Sequence, residues 1–216
     1  MSQIKPFRAY RPKAGLAEKV ASVPYDVINT QEARQMAEGN PYSFLHVGRP
    51  EIDLPEGVDE HDDRVYAMGV SNLKRFIAEG TLVQDDQPCL YVYQQKMGDH
   101  VQAGLVCLCS VKEYEQDLIK KHEYTRKDKE DDRTRHVTEQ GANAEPVFLT
   151  YRAVPYIDHV VDNVRKGAPD IDIVTPDGIG HTVWTIRDEV IIGELVAFFN
   201  GVPALYIADG HHRTAA

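Results

Sequence analysis

Near its C-terminal end the chain carries the sequence ALYIADGHHRTAA, Ala204–Ala216, in which an apolar run gives way to a polar one. Ala204–Ala208 has the composition of a buried strand, Asp209-Gly210 is a turn signal, and Thr214–Ala216 is typical of a first helical turn. Free backbone N–H groups at a helix start favour an anion. His211–Arg213 crowd the same end, where a cation costs about 0.3–1 kcal/mol unless a negative group lies beside it. The stretch therefore predicts a phosphate-binding turn, with an exposed Asp-Gly turn as the alternative.

The predicted phosphate ligands of this turn are Asp209, Gly210, His212 and Arg213. Glycine allows the backbone to approach a phosphate closely, and the arginine fork can bind two of its oxygens. A helix of one turn is not stable by itself. We therefore expect the chain to be an N-terminal fragment of a longer protein, truncated inside this motif.

Length and composition restrict the class of protein. The 216 residues suffice for one domain with a full core or for two small ones, and we expect one α+β region, 1–216. The formal net charge of −10 disfavours nucleic acid as a partner, because DNA-binding surfaces are basic. The three cysteines are an odd number, and the chain has no signal-peptide core and no apolar run of about 20 residues. We therefore expect a cytoplasmic protein that does not contact a membrane.

The pattern of apolar residues predicts an α+β fold, a mixed sheet with flanking helices. Asn29 and Glu32 have the spacing of a capping box at a helix start. Gly141 is expected to end a helix, and Met97-Gly98-Asp99 to turn a β-hairpin. Two further apolar runs are predicted to be strands, the second of them buried: Phe44–Val47 and Pro146–Tyr151.

A very polar block, residues 120–140, holds further candidate site residues. His122 or Glu123 could take a proton from a hydroxyl group, and Thr125 and Arg133 are expected to contact phosphate. The carboxylates of this block could hold a magnesium ion together with a phosphate, and we select Glu130 and Asp132. The alternative is a solvated charged helix, since Glu130 and Arg133 are three residues apart and could simply pair.

Two polar residues outside these segments lie beside apolar runs. Asp26 and His46 either line the same site or are a turn residue and a core histidine with satisfied hydrogen bonds. The sequence leaves both interpretations open.

The order of the motifs resembles the domain-of-unknown-function 1015 family over nearly the whole chain. Members of that family are about twice as long as this chain, which agrees with the expected truncation, and the resemblance implies no firmly assigned activity. The motifs that carry the resemblance are Lys5-Pro6-Phe7-Arg8-Ala9, Pro24-Tyr25-Asp26-Val27, Asn40–Val47, His122-Glu123-Tyr124-Thr125, Glu130-Asp131-Asp132-Arg133 and Asp209-Gly210-His211-His212-Arg213.

A wider resemblance connects the C-terminal turn with the ParB/sulfiredoxin superfamily, which includes an archaeal free-serine kinase. The resemblance implies that a ParB/sulfiredoxin-like element lies near the C-terminus, that His212 and Arg213 bind phosphate, and that Glu123 activates a substrate hydroxyl. As an alternative to one region it implies a division into an N-terminal part, 1–112, and a ParB/sulfiredoxin-like part, 113–216, which is incomplete at its C-terminus. His211 lies where sulfiredoxin has its cysteine, so reduction of a sulfinic acid is not expected. His211 and His122 remain candidate catalytic residues.

Two functions follow as hypotheses. The first is a nucleotide-dependent phosphotransferase, a kinase-like enzyme that uses ADP or ATP with Mg²⁺ and acts on a small hydroxylated metabolite. The alternative is a ParB-like nucleotide-binding regulatory protein, associated with DNA through a further C-terminal region. A nucleotide-independent hydrolase ranks last, because the sequence has no Gly-x-Ser-x-Gly, His-Glu-x-x-His or Walker-type motif. The oligomeric state stays open, a dimer included.

Overall fold

A computed structural model describes residues 2–216, whose contacts divide them into two compact units. The first unit consists of residues 2–14, 84–122 and 149–208, and the second of residues 15–83, 123–148 and 209–216. Helices alternate irregularly with strands of small mixed sheets, so the predicted α+β class is confirmed. Within residues 2–216 no helix combines the length and the apolar character needed to cross a bilayer.

The first unit is built on a four-stranded antiparallel sheet in the order β5-β4-β10-β9. Its strands are β4 (Leu90–Met97), β5 (His100–Val106), β9 (Ile171–Val174) and β10 (Gly180–Ile186). The predicted hairpin is confirmed, since β4 and β5 pair across the turn at Gly98. Alternate residues of β10 face the core, as a strand with one buried face requires: Thr182, Trp184 and Ile186 are buried.

Shorter elements complete the first unit. Strands β7 and β11 run parallel, with β8 on the other side of β11, and β1 pairs with β6. The apolar core between sheet and helices includes Val92, Leu195 and Ile207. The bounds are β1 (Ile4–Lys5), β2 (Tyr10–Pro12), β6 (Leu108–Cys109), β7 (Ile119–Lys120), β8 (Phe148–Thr150), β11 (Leu205–Asp209), α5 (Val111–Glu115), α7 (Pro155–Val164) and α8 (Glu189–Phe199).

The second unit is mostly helical and packs around its longest helix, α4. Val47, Leu73 and Phe76 are buried there in one apolar cluster, and a second cluster joins α2 to α3. The bounds are α1 (Ala17–Val20), α2 (Thr30–Ala37), α3 (Leu45–Gly48), a 3₁₀ turn (Pro50–Asp53), α4 (Asp63–Ala78), β3 (Leu82–Gln84), α6 (Lys127–Gln140) and α9 (His211–Ala215).

Two local predictions for the second unit are confirmed. Asn29 accepts a hydrogen bond from the N–H of Glu32, whose side chain accepts one from the N–H of Asn29, so α2 begins with a capping box. Helix α6 ends at Gln140, and Gly141 takes the left-handed conformation that closes many helices.

The predicted strand at Phe44–Val47 is wrong, and the predicted buried strand at Pro146–Tyr151 is wrong in part. Phe44 precedes helix α3 and Leu45–Val47 form most of it, because a run of four residues, three of them apolar, is too short for its period to separate a helix from a strand. Only Phe148–Thr150 of the second run is extended, and Phe148 is 42% exposed, so this strand is not buried.

Candidate functional site

The predicted strand–turn–helix is present at residues 205–215. Gly210 has a φ of 87°, and helix α9 begins directly after it at His211. The first helical hydrogen bond runs from the N–H of Thr214 to the carbonyl of Gly210, at 2.8 Å. The helix therefore begins three residues earlier than predicted, because the left-handed glycine completes the turn by itself. As a result His211–Arg213 are helical residues.

Arg213 is fixed by groups close to it. Its Nη2 donates to Asp209 at 2.7 Å and its Nη1 donates to the carbonyl of Pro146 at 2.7 Å. A Cβ on Gly210 would lie 3.2 Å from the Arg213 Cζ, so the guanidinium covers the position that a larger residue would need. Glycine at this position thus allows both the turn and the arginine geometry.

Glu123 of the polar block and His211 of the C-terminal turn lie close together in the second unit. Nδ1 of His211 lies 3.7 Å from Oε2 of Glu123. His211 is buried, whereas the side chain of Glu123 is 65% exposed. The imidazole thus lies beside a largely exposed carboxylate, at an N···O distance longer than a hydrogen bond.

His212 contacts the start of α6. The backbone N–H of Arg126 donates to its Nε2 at 3.1 Å, so this nitrogen carries no proton and the ring proton is on Nδ1. Nearby in the chain, the hydroxyl of Thr125 donates to Glu130 at 2.6 Å. These bonds bring Thr125, Glu130 and His212 into one neighbourhood at the N-terminal end of α6.

Asp132 is the centre of a hydrogen-bond network that the sequence does not reveal. Its Oδ1 accepts from the hydroxyl of Tyr66 at 2.7 Å and lies 3.1 Å from Nδ1 of His61. Its Oδ2 accepts two bonds from Arg133, at 2.6 and 2.9 Å. Burial acts to raise the pKa of Asp132, but the charge of Arg133 and the hydrogen bonds outweigh it and hold the pKa below its usual range.

Arg133 has a second contact, which involves Tyr25. Its guanidinium lies 3.9 Å from the centre of the Tyr25 ring, an arrangement in which a cation interacts with the aromatic face. The motif around Asp26 is thus brought beside the polar block. His46 instead donates to Asp53 at 2.9 Å and to the carbonyl of Asn40 at 3.1 Å, as a histidine with satisfied hydrogen bonds does.

Glu145 is a site residue that sequence reasoning missed. It contributes to a pocket that is also lined by Arg133 and Arg213. Burial raises the pKa of Glu145, and the two arginines offset only part of that effect. A single glutamate between Ala144 and Pro146 carries no motif, so no sequence signal marks it.

Two predictions are less directly supported by the geometry of the described residues: a catalytic role for His122, and magnesium binding by Glu130 and Asp132. His122 is an exposed residue of the first unit. Within residues 2–216 no three His, Cys, Asp or Glu side chains are grouped so that they could hold a metal ion. Binding of Mg²⁺ by Glu130 and Asp132 stays a prediction, and the ion would need phosphate oxygens and water as its other ligands.

Comparison with known proteins gives one family. No curated protein and no solved structure matches the chain significantly. The model of the family described as "Protein of unknown function (DUF1015)" matches residues 4–216, which is nearly the whole chain. The chain therefore belongs to the domain-of-unknown-function 1015 family.

Proposed function

We propose that this chain carries the site of a nucleotide-dependent phosphotransferase that acts on a small hydroxylated metabolite. The observation that supports the proposal is the meeting of Glu123 and His211 at 3.7 Å, beside a turn that also supplies Arg213. Two segments far apart in the sequence thus contribute the three groups: Glu123 as the base, and His211 with the fixed guanidinium of Arg213. Phosphoryl transfer requires mainly positioning and charge stabilisation, for which such a set is suited.

In this proposal Glu123 is the general base. The acceptor's hydroxyl oxygen attacks the terminal phosphorus of the nucleotide, and its proton passes to the exposed oxygen of Glu123. As the new P–O bond forms, the bond to the bridging oxygen breaks, so ATP leaves as ADP or ADP leaves as AMP. In the proposal His211, whose Nδ1 lies 3.7 Å from Oε2 of Glu123, positions the carboxylate by closing to hydrogen-bond distance when substrate binds.

The phosphate is assigned to the turn and to α6. Nδ1–H of His212 can donate, because its Nε2 already accepts from Arg126. Arg213 and Arg133 supply positive charge, each held in place by a carboxylate, Asp209 and Asp132. Magnesium, when bound, would neutralise the phosphate charge.

The test is turnover of ATP or ADP with a panel of small hydroxy compounds. We expect nucleotide consumption that depends on the acceptor. Loss of a general base costs about 10²–10⁴-fold in rate, so Glu123→Gln should lower kcat by that factor. Glu38→Gln, an exposed glutamate at the end of α2, is the matched control and should keep full activity.

Two results would overturn the proposal. Equal turnover in wild type and Glu123→Gln would show that Glu123 is not the general base. Tight nucleotide binding without any acceptor-dependent turnover favours the alternative, a ParB-like nucleotide-binding regulatory protein.

A further inference from the structure

A pocket of about 40 Å³ lies in the second unit beside α6 and α9. Its ionisable lining residues are Arg133 and His136 of α6, Glu145 of the following segment and Arg213 of α9, and the amides of Gln140 and Asn143 complete the polar lining. A water molecule needs about 10–15 Å³ of such space. The pocket therefore has room for about three waters or for one tetrahedral oxyanion.

Glu145 is an unusual residue in this lining. Oε2 is fully buried, and among residues 2–216 no group donates a hydrogen bond to it. The nearest cation, Nη1 of Arg213, is 3.9 Å away, which is beyond hydrogen-bond range. A buried carboxylate oxygen without a donor is costly, whereas a protonated carboxyl can itself donate.

The groups that face Glu145 have opposing effects on its charge. Arg133, Arg213 and the backbone N–H of Tyr25 favour the ionised form, whereas Asp26 disfavours it. Burial has the largest effect and raises the pKa of Glu145. On α6, burial lowers the pKa of His136 to about 4, so this ring is neutral near pH 7. Tyr25 is neutral as well, because burial raises its pKa.

We propose that the pocket between Arg133, Glu145 and Arg213 binds one phosphate-like dianionic oxyanion, and that it does so with Glu145 protonated. The two guanidinium groups attract the dianion. An ionised Glu145 would repel it and compete for Arg213, whereas a protonated Glu145 offers an O–H donor to one of its oxygens. Anion binding is therefore coupled to the uptake of a proton.

The inference rests on the proposed function in one respect, the assignment of the oxyanion as the phosphoryl group that is transferred. The pocket would then hold this group before or after transfer, and Glu145 would control its charge balance. Binding can be measured without turnover. Failure of this inference is therefore distinguishable from failure of the phosphotransferase proposal.

The experiment is calorimetric titration of the 216-residue chain with sulfate between about pH 5 and pH 8. Sulfate is the probe because its charge does not change over this range, whereas phosphate itself titrates. Above the pKa of Glu145 the affinity should fall about tenfold per pH unit, the limit for uptake of one proton. Titration in two buffers of different ionisation enthalpy should show that proton uptake directly, without any variant.

Matched variants test whether Glu145 is the group that takes up the proton. Glu145→Gln keeps the shape of the side chain, and its affinity should be independent of pH and tighter than that of wild type at pH 8. Glu139→Gln, on α6 and paired with Arg135, should keep the wild-type slope. Competition by ADP or by glycerol phosphate, each added to the sulfate complex, identifies a nucleotide or a phosphorylated product as the source of the oxyanion.

Three results would overturn the inference: sulfate binding with no pH dependence in wild type, the same slope in Glu145→Gln, or no sulfate binding in a protein that transfers phosphoryl groups. Weak binding that survives Arg213→Gln unchanged would also overturn it, because the ion would then be adventitious.

Discussion

Gly210 combines two constraints at the residue scale. Its φ of 87° is accessible to glycine at little cost, and the guanidinium of Arg213 lies where a Cβ would point. Arg213 cannot move aside freely, because Asp209 and the carbonyl of Pro146 hold both of its Nη atoms. The glycine therefore supports the position of the arginine as well as the path of the chain.

Gly210→Ala tests this coupling against a matched control. Gly141 has a φ of 64° with no atom near the position of a Cβ, so Gly141→Ala should cost only the left-handed strain of about 1–2 kcal/mol. Gly210→Ala should cost about 1 kcal/mol more, as Arg213 loses a charge-assisted hydrogen bond. Urea unfolding measures the difference, and equal destabilisation by the two variants would contradict the coupling.

At the scale of elements, α2 shows how local chemistry determines a boundary. The side chain of Asn29 and that of Glu32 satisfy each other's backbone N–H groups, at 2.9 and 2.8 Å. Helix α9 has no comparable cap from a side chain and begins at a left-handed glycine instead. The two helix starts are therefore stabilised by different means.

Asn29→Ala should lower the free energy of unfolding by about 1 kcal/mol, the usual cost of losing an N-cap. Gln31→Ala, an exposed substitution within the same helix, should change it by less than about 0.5 kcal/mol. Both values come from urea unfolding at neutral pH. A loss for Gln31→Ala as large as that for Asn29→Ala would show that the cap has no special role.

At the scale of the whole molecule, two histidines of the second unit make stability depend on pH in opposite directions. Burial, assisted by the charge of Arg133, lowers the pKa of His136 from 6.5 to about 4. As pH falls below 6.5, this histidine binds a proton in the unfolded chain but stays neutral in the folded chain. The contribution of His136 to the free energy of unfolding is thus fully present above pH 6.5 and falls by roughly 2–4 kcal/mol towards pH 4.

His46 has the opposite sign. The hydrogen bond to Asp53 raises the pKa of His46 above 6.5, although burial opposes it. Its contribution is fully present below pH 6.5 and is lost as pH rises through the raised value. Urea unfolding between about pH 4 and pH 9 measures both effects. His136→Gln should remove the fall in the free energy of unfolding below pH 6.5, and His46→Asn should remove the fall at higher pH.

His100→Gln, on exposed β5, is the control and should change neither pH dependence. An unchanged fall at acid pH in His136→Gln would contradict the assignment to His136.

Each compact unit is assembled from three separate segments of the chain. The predicted division into 1–112 and 113–216 stays a prediction. The meeting of Glu123 with His211 follows from the assembly of the second unit, whose segments include 123–148 and 209–216. No local pattern encodes such a meeting, because it depends on the packing of α6 against α9.

What the sequence determined by itself was local: the capping box at Asn29, the end of α6 at Gly141, the hairpin at Gly98 and the turn at Gly210. Each depends on residues a few positions apart, so propensity and spacing suffice. Tertiary structure alone decided that the short apolar run at α3 is helical, because burial against α4 rather than period determines its state. It also decided the surroundings of Asp132 and the pocket at Glu145. Burial, charge and hydrogen-bond geometry belong to side chains that meet only after folding, and these set the chemistry of a site.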